Sequence, residues 1–248
     1  MRLKDKVVIV TGAASGFGEG IARHFAEQGA SIIVADISDK EGEAVASSLP
    51  SAKFVHCDVT RSDDVKAMVG AAEDAFGGLD ILVNNAGTTH MRKSLLEVTE
   101  GEFDKVFATN VKSIYLGAVH GVPALKKRGG GVILNIASTA GIRPRPGLTW
   151  YNGTKGAAIT LTKSMAIELA PDKIRVCAIN PVIGETALLT SFMGGPDTPE
   201  MREQFISGIP LGRMSRPEDI ARAALFLCSD DAEFITGVCM EVDGGRCI

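Results

Sequence analysis

The chain has 248 residues, 45% hydrophobic and 23% charged, with 26 basic against 30 acidic side chains and a net charge of -4. That balance fits a globular α/β protein and argues against a surface that draws nucleic acid or anionic membrane by charge. No apolar run approaches the eighteen or so residues a membrane helix needs, and Met1 to Lys6 runs directly into a short apolar segment, so no signal peptide is expected. The five cysteines are widely spaced and form no Cys-x-x-Cys pair, the pattern of thiols in a reducing cytoplasm, and the four histidines offer no metal cluster.

Lys6 to Thr11 reads as the first strand, with Val7, Val8, Ile9 and Val10 in the unbroken run that a parallel sheet covered on both faces requires. The turn Thr11-Gly12-Ala13-Ala14-Ser15-Gly16-Phe17-Gly18 follows, and then a helical pattern of Ile21, Ala22, Phe25 and Ala26 that stops at Gly29. A strand, a glycine turn and a helix N-terminus make an anion site, because bare N–H groups point outward and the helix dipole favours negative charge. The spacing departs from G-x-G-x-x-G, and such turns also serve packing alone. The second strand, Ser31 to Ala35, bears on the choice. It ends at Asp36, where a carboxylate can accept from both adenosine ribose hydroxyls and would repel a 2′-phosphate. No basic side chain is placed to rescue phosphate binding, since Ser15 lies inside the turn and Ile37 follows the aspartate. NAD is therefore expected over NADP. Capping of the next helix would belong more naturally to Ser38 or Asp39.

The alternation continues with a helix from about Ser38 to Leu49 and a strand from Lys53 to Cys57, closing on Asp58-Val59. A helix from Ser62 to Phe76 takes Ser62 as its cap and Asp63 and Asp64 in its first turn. The fourth strand, Ile81 to Val83, ends in Asn84-Asn85-Ala86-Gly87, where small residues let the chain pass close to a cofactor and amides can brace neighbouring strands. A long helix is expected from Glu102 to Arg128, with Asn110 unfavourably placed in its interior. Val132 to Ala137 is the fifth strand, with Ser138 at its carboxyl end, where open α/β sheets bind ligands. After the loop Thr139 to Thr149 comes a helix to about Ala170, then the sixth strand, Ile174 to Asn180. Residues 182–215 break the rhythm and read as a substrate lid or as a packing excursion. Pro217 opens the last helix, and Gly237 to Val242 is the closing strand. Seven strands with intervening helices make a single-domain, Rossmann-like doubly wound parallel sheet over residues 1–248.

Tyr151 and Lys155 stand four apart on a helix, hence on one face about 6 Å from each other. Such pairs are commonly surface neighbours. A phenol half ionised at pH 7 needs roughly 4 kcal/mol of differential stabilisation, much of which a nearby ammonium can supply.

Thr11-Gly12-x3-Gly16-x-Gly18, Asp58, Asn84-Asn85-Ala86-Gly87, Asn110, Ser138, Tyr151-x3-Lys155, Asn180-Pro181, Thr186 and Val242-Asp243-Gly244-Gly245 together resemble a short-chain dehydrogenase/reductase of the type with about 250 residues. The resemblance spans essentially the whole chain, and its specificity lies in the order and spacing of motifs that are individually weak. It implies hydride transfer between an alcohol and a carbonyl with NAD(P). Tyr151 is then the acid/base, Lys155 lowers its pKa and binds the nicotinamide ribose, Ser138 holds the substrate oxygen, and Asn110 supports a water relay. Gly12, Ser15, Gly16, Phe17 and Gly18 hold the pyrophosphate, and Asp36 and Ile37 lie at the adenosine ribose. Asp58 and Val59 flank the adenine, Asn85, Ala86 and Gly87 line the cofactor bed, and Pro181 and Thr186 meet the nicotinamide end. Two positions depart from the family pattern: Asn152-Gly153 after the tyrosine, and Val182 after Pro181. The resemblance also implies a homotetramer built through the two long helices and the C-terminal strand, and the cysteine pattern a cytoplasmic location.

Thr139, Ala140, Ile142, Trp150, Val182, Leu188, Phe192 and Met193, with His90 and Met91, are the expected pocket walls. Their apolar character points to a small-molecule ketone or secondary alcohol with a hydrophobic or cyclic body. A sugar or polyol dehydrogenase and a 3-oxoacyl-carrier-protein reductase are the alternative enzymes. A catalytically retired dinucleotide-binding protein is the alternative outside catalysis, and a sugar-nucleotide epimerase, which shares the Tyr-x3-Lys pair, would be expected to carry a longer C-terminal substrate domain than 248 residues have room for.

Overall fold

A computed structural model describes all 248 residues. Seven parallel strands form one sheet: β1 (Val7–Thr11), β2 (Ser31–Asp36), β3 (Ala52–His56), β4 (Ile81–Asn84), β5 (Gly131–Ile136), β6 (Ile174–Pro181) and β7 (Cys239–Val242). Their order is β3-β2-β1-β4-β5-β6-β7. The chain builds outward from β1 to β3, then crosses back to β4, so a crevice opens beyond the carboxyl ends of β1 and β4, where such sheets take ligands. Continuous burial along β1 and β4 reflects helices on both faces. One face packs against α1 (Gly16–Glu27) and α9 (Pro217–Cys228) through Ile21, Phe25, Ile220 and Ala224. The other packs against α3 (Ser62–Phe76) and α5 (Ser113–Lys127) through Met68, Leu116 and Leu125.

Between these lie α2 (Asp39–Ser47), α4 (Glu100–Phe107) and α6 (Thr149–Leu169), the helix that carries Tyr151 and Lys155. Two short helices, α7 (Leu189–Met193) and α8 (Pro199–Ile206), form within residues 182–215 and bury their own apolar cluster of Val182, Ile183, Leu189 and Met193.

Two sequence expectations are corrected. The single helix from Glu102 to Arg128 is in fact α4 and α5 joined by a π turn at Ala108–Lys112. Asn110 explains the break: its Nδ2 donates to Thr88 O at 2.9 Å and to Thr154 Oγ1 at 3.0 Å, and its Oδ1 accepts from Thr88 N at 2.9 Å. Widening the helix by one residue aims that amide at a neighbouring segment. Ser62 is the first helical residue of α3 rather than its cap, with Arg61 at the cap position. Its hydroxyl instead pairs with His120 Nε2 at 2.9 Å.

Amides do brace the sheet. Asn84 Nδ2 donates to Asn135 Oδ1 at 2.9 Å, and Asn135 Nδ2 donates to Thr162 Oγ1 at 2.9 Å, so one buried polar chain links β4, β5 and α6. Asn135→Leu removes the acceptor of Asn84 inside the protein and should destabilise it by about 1–3 kcal/mol. Urea unfolding measures this, and a loss below about 0.5 kcal/mol, the range of neutral surface changes, would contradict the bracing role.

Candidate active site

The glycine turn leaves β1 with Gly12 and Gly16 in the left-handed region, at φ +65° and +58°, a conformation glycine adopts without strain. Ser15 sits at the cap position of α1 but its side chain caps nothing. The N–H groups of Gly16 and Phe17 therefore take no acceptor from the protein. Free donors on a positive helix end suit a pyrophosphate, and the turn lies close enough to Thr186 that a Cβ on Gly16 would touch its methyl at 3.4 Å. Gly18 lies behind the turn and does not reach the cavity. A Cβ there would collide with the Gly12 carbonyl oxygen and the Asn85 amide, so its role is to let α1 approach β1.

Asp36 ends β2 as a fixed acceptor. Its Oδ2 accepts from Ala14 N and its Oδ1 from Ser38 N, both at 3.0 Å. Each oxygen keeps a lone pair for a ribose hydroxyl. Asp58 accepts from Thr60 N at 2.9 Å and Thr60 Oγ1 at 2.7 Å. Burial pushes its carboxyl up, but these hydrogen bonds together with the Arg61 and His56 charges hold the pKa below the ordinary value. Asn85 Nδ2 donates to Thr11 O at 2.8 Å and Gly12 O at 3.1 Å, tying the end of β4 to the glycine turn.

These groups share one cavity of about 720 Å³. Its nucleotide end carries Gly12, Ser15, Gly16, Phe17, Asp36 and Ile37, with Asp58 and Val59 beside them. Asn85, Ala86 and Gly87 form its floor, and Ser138, Tyr151, Lys155, Pro181 and Thr186 stand at the opposite end. The arrangement fits an extended dinucleotide. Asn110 is not on the wall; it lies behind Gly87, where a Cβ would be 3.4 Å from Asn110 Oδ1 and 3.6 Å from Lys155 Nζ.

Tyr151 and Lys155 are both buried on α6. Lys155 Nζ lies 5.8 Å from the centre of the Tyr151 ring and donates to Ile136 O at 2.8 Å. Ser138, at the end of β5, accepts from Ala140 N at 3.1 Å. The electrostatics differ from the sequence expectation that Lys155 brings the phenol toward neutrality. Burial pushes Tyr151 up to about 12, opposed by hydrogen bonding from Ser138 and by the Arg145 charge. Burial likewise pushes the Lys155 ammonium down to about 8. The ammonium addresses the ring and a carbonyl rather than the phenol oxygen, so desolvation governs both groups.

Of the expected substrate walls, Thr139, Ala140, Val182, Leu188 and Phe192 line the cavity. Phe192 meets the Tyr151 ring edge-on at 5.2 Å between centres. The others do not line it. Ile142 and Met91 are exposed, His90 is buried with Nδ1 against Met91 O, and Met193 belongs to the cluster of residues 182–215. Trp150 packs on Phe103 and donates to Leu95 O at 3.4 Å. The structure adds Leu148, Arg145 and, from α4 and the π turn, Asp104, Lys105, Ala108 and Thr109. An arginine between Pro144 and Pro146, just ahead of the Tyr151 helix, was the available signal for one of them.

A phenol, an ammonium and a hydroxyl at one end of a dinucleotide-shaped cavity define an oxidoreductase that uses a nicotinamide cofactor. A family model described as Enoyl-(Acyl carrier protein) reductase matches residues 12–246. The chain is 51% identical over 250 residues to the 4-formylbenzenesulfonate dehydrogenase of Comamonas testosteroni, covering 99% of each chain. It is 37% identical over 248 residues to the 2,5-dichloro-2,5-cyclohexadiene-1,4-diol dehydrogenase of Sphingobium indicum, covering 98% of this chain and 97% of that one. The crystal structure of 3-ketoacyl-(acyl-carrier-protein) reductase from Brucella melitensis complexed with NADH superposes with a TM-score of 0.94 at 48% identity, covering 99% of this chain and 100% of that one. The chain belongs to the short-chain dehydrogenase/reductase family.

In the cofactor-free protein Tyr151 is expected to stay protonated until well above pH 10. An ultraviolet difference titration of wild type against Tyr151→Phe should show no phenolate from this residue below pH 10. Its appearance below pH 9 would mean that the Lys155 charge, not burial, sets the phenol.

Proposed function

We propose that this protein interconverts a secondary alcohol and a ketone with NAD(H), on a substrate with a hydrophobic or cyclic body. The observation that carries the reading is that Ser138, Tyr151 and Lys155 meet at one end of a cavity whose other end offers uncapped N–H groups and the Asp36 carboxylate. The names of the Comamonas and Sphingobium relatives, an aromatic aldehyde and a cyclic diol, support a cyclic body. NADH in the Brucella structure and the negative charge at Asp36 support NAD over NADP.

Bound NAD(H) supplies hydride acceptance or donation. The glycine turn holds the pyrophosphate, Asp36 the adenosine ribose, and Asp58 and Val59 border the adenine. Asn85, Ala86 and Gly87 would support the cofactor from the cavity floor, Lys155 would hold the nicotinamide ribose, and Pro181 and Thr186 would hold the nicotinamide end. Ser138 donates a hydrogen bond to the substrate oxygen. Tyr151, protonated at neutral pH because it is desolvated, gives its proton to a carbonyl oxygen as that oxygen gains charge, and takes it back in oxidation. Lys155, with its pKa lowered to about 8, exchanges protons near neutrality, and Asn110 fixes the floor behind it. A water relay through Asn110 rests on its position beside Gly87 and Lys155.

Residues 1–248 work as a single domain, and residues 182–215 act as its substrate lid, supported by the contact of Phe192 with Tyr151. Exposed Tyr115, Val119 and Ile167 on α5 and α6 support assembly of a homotetramer through those helices, which light scattering measures. Five unpaired thiols support a cytoplasmic site, which cell fractionation tests. A second reading, 3-oxoacyl-carrier-protein reductase, is favoured by the name of the Brucella protein, and turnover of acetoacetyl-CoA tests it.

Tyr151→Phe should lower kcat by about 10²–10⁴-fold while NADH affinity stays close to that of wild type, read by fluorescence titration. Activity near wild type would remove Tyr151 from the acid/base role. Asp36→Ala should raise kcat/KM with NADP relative to NAD. An unchanged cofactor ratio would count against the ribose contact.

A further inference from the structure

The substrate end of the cavity contains a cation that the reaction itself does not require. Arg145 lies on the cavity wall with Tyr151, Leu148 and Phe192. Its guanidinium stacks over the Phe205 ring of α8, 4.9 Å from the ring centre. It forms no ion pair, and its side chain donates to no protein acceptor. Six of the twelve other arginines pair with carboxylates: Arg2 with Asp231, Arg23 with Glu19, Arg61 with Asp64, Arg128 with Asp80, Arg202 with Asp197, and Arg213 with Asp219.

The charges acting on Arg145 sharpen the contrast. Burial, together with the nearby charges of Arg246 and Arg92, lowers its pKa to about 10 against the opposing pull of Tyr151 and Cys247. No carboxylate is among the main influences on it, although the protein carries a net charge of -4. Asp104 and Lys105 on the same cavity are exposed and opposite in sign. A partly desolvated guanidinium with neighbouring cations is costly unless an anion completes it.

The backbone carrying Arg145 is also held in place. Asn152 Nδ2 donates to Arg145 O at 2.9 Å. On the other side of the loop, Arg92 Nε donates to Pro146 O at 3.3 Å and Lys93 N to Gly147 O at 3.0 Å. Asn152, which departs from the family pattern, thus clamps the loop to the helix of Tyr151. Preorganisation of this kind belongs to a binding group rather than to a spare surface charge.

We propose that Arg145 anchors a carboxylate or sulfonate on the substrate, at the end opposite the reacting carbonyl or alcohol, with Asn152 positioning it. The inference rests on the reading of the site as an alcohol and carbonyl oxidoreductase. A planar guanidinium with one face on Phe205 keeps its N–H edge for a bidentate contact with either anion.

The test compares kcat/KM with NADH for 4-acetylbenzoate and 4-acetylbenzenesulfonate against neutral 4-methylacetophenone. Wild type should prefer at least one anionic ketone by on the order of a hundredfold. Which one it prefers identifies the anion. Arg145→Met should collapse that ratio, mainly through KM for the anionic ketone, and Arg145→Lys should restore part of it. The ratio cancels any effect of Arg145 on Tyr151 common to all substrates. An equal ratio in wild type and Arg145→Met overturns the anchor and leaves the reaction class standing. Should Arg145→Met not fold, Asn152→Ala supplies the same readout, with a reduced ratio expected and an unchanged one counting against the anchor. If no ketone turns over, calorimetry of 4-acetylbenzoate with NAD-saturated protein decides. Binding lost in the arginine variant keeps the anchor and rejects the ketone reading, whereas no binding to wild type rejects the anchor.

Discussion

The site depends on a clasp between the ends of β1 and β4. Thr11 Oγ1 accepts from Asn85 N at 3.0 Å and Ala86 N at 3.1 Å while donating to Val83 O at 3.3 Å. The Asn85 amide returns two hydrogen bonds to Thr11 and Gly12. Five backbone groups at the topological switch point are satisfied by two side chains. This lets the crevice stay open and rigid at once. The φ of Gly12 and the tight seat of Gly18 follow from the same clasp, since both glycines face the Asn85 amide.

A second constraint is desolvation at the other end. Tyr151 and Lys155 are buried together, and burial moves their pKa values in opposite senses, up for the phenol and down for the ammonium. Before cofactor or substrate arrives, the phenol is held firmly neutral and the ammonium becomes easier to discharge. The pair is therefore sensitive to any charge that enters the cavity, because little water is present to screen it. Arg145 already acts on Tyr151 in this way.

What could be read in advance follows from which physical demands leave a mark on residue type. The seven strands were legible because strands buried on both faces must be apolar throughout. Gly12, Gly16 and Asp36 were legible because a left-handed turn and a ribose acceptor restrict the residue at a fixed place in the chain. Gly18 was recognised as part of the motif, yet its place behind the cavity depends on how closely α1 meets β1, which only packing reveals. The break in the long helix was hidden because Asn110 marks a demand for hydrogen bonding without saying whether the backbone or the side chain will move to meet it. Lys155 stood at the right spacing, but a spacing carries no dielectric, and burial reversed the expected shift of Tyr151. Arg145 was passed over because a charged residue between prolines usually faces water. Asn152 looked like an oddity until the carbonyl it holds could be seen.

The π turn at Ala108–Lys112 also stores one extra residue in a rod that would otherwise be straight. Deleting one residue there would let α4 and α5 fuse into a continuous α-helix, which is locally favourable. It would also withdraw the wide turn that aims the Asn110 amide at Thr88 and Thr154, behind Gly87 and Lys155. Regularity and function are therefore opposed at this point. A chain that drifted toward the simpler helix would keep its sheet and core and lose the brace behind the floor of its pocket.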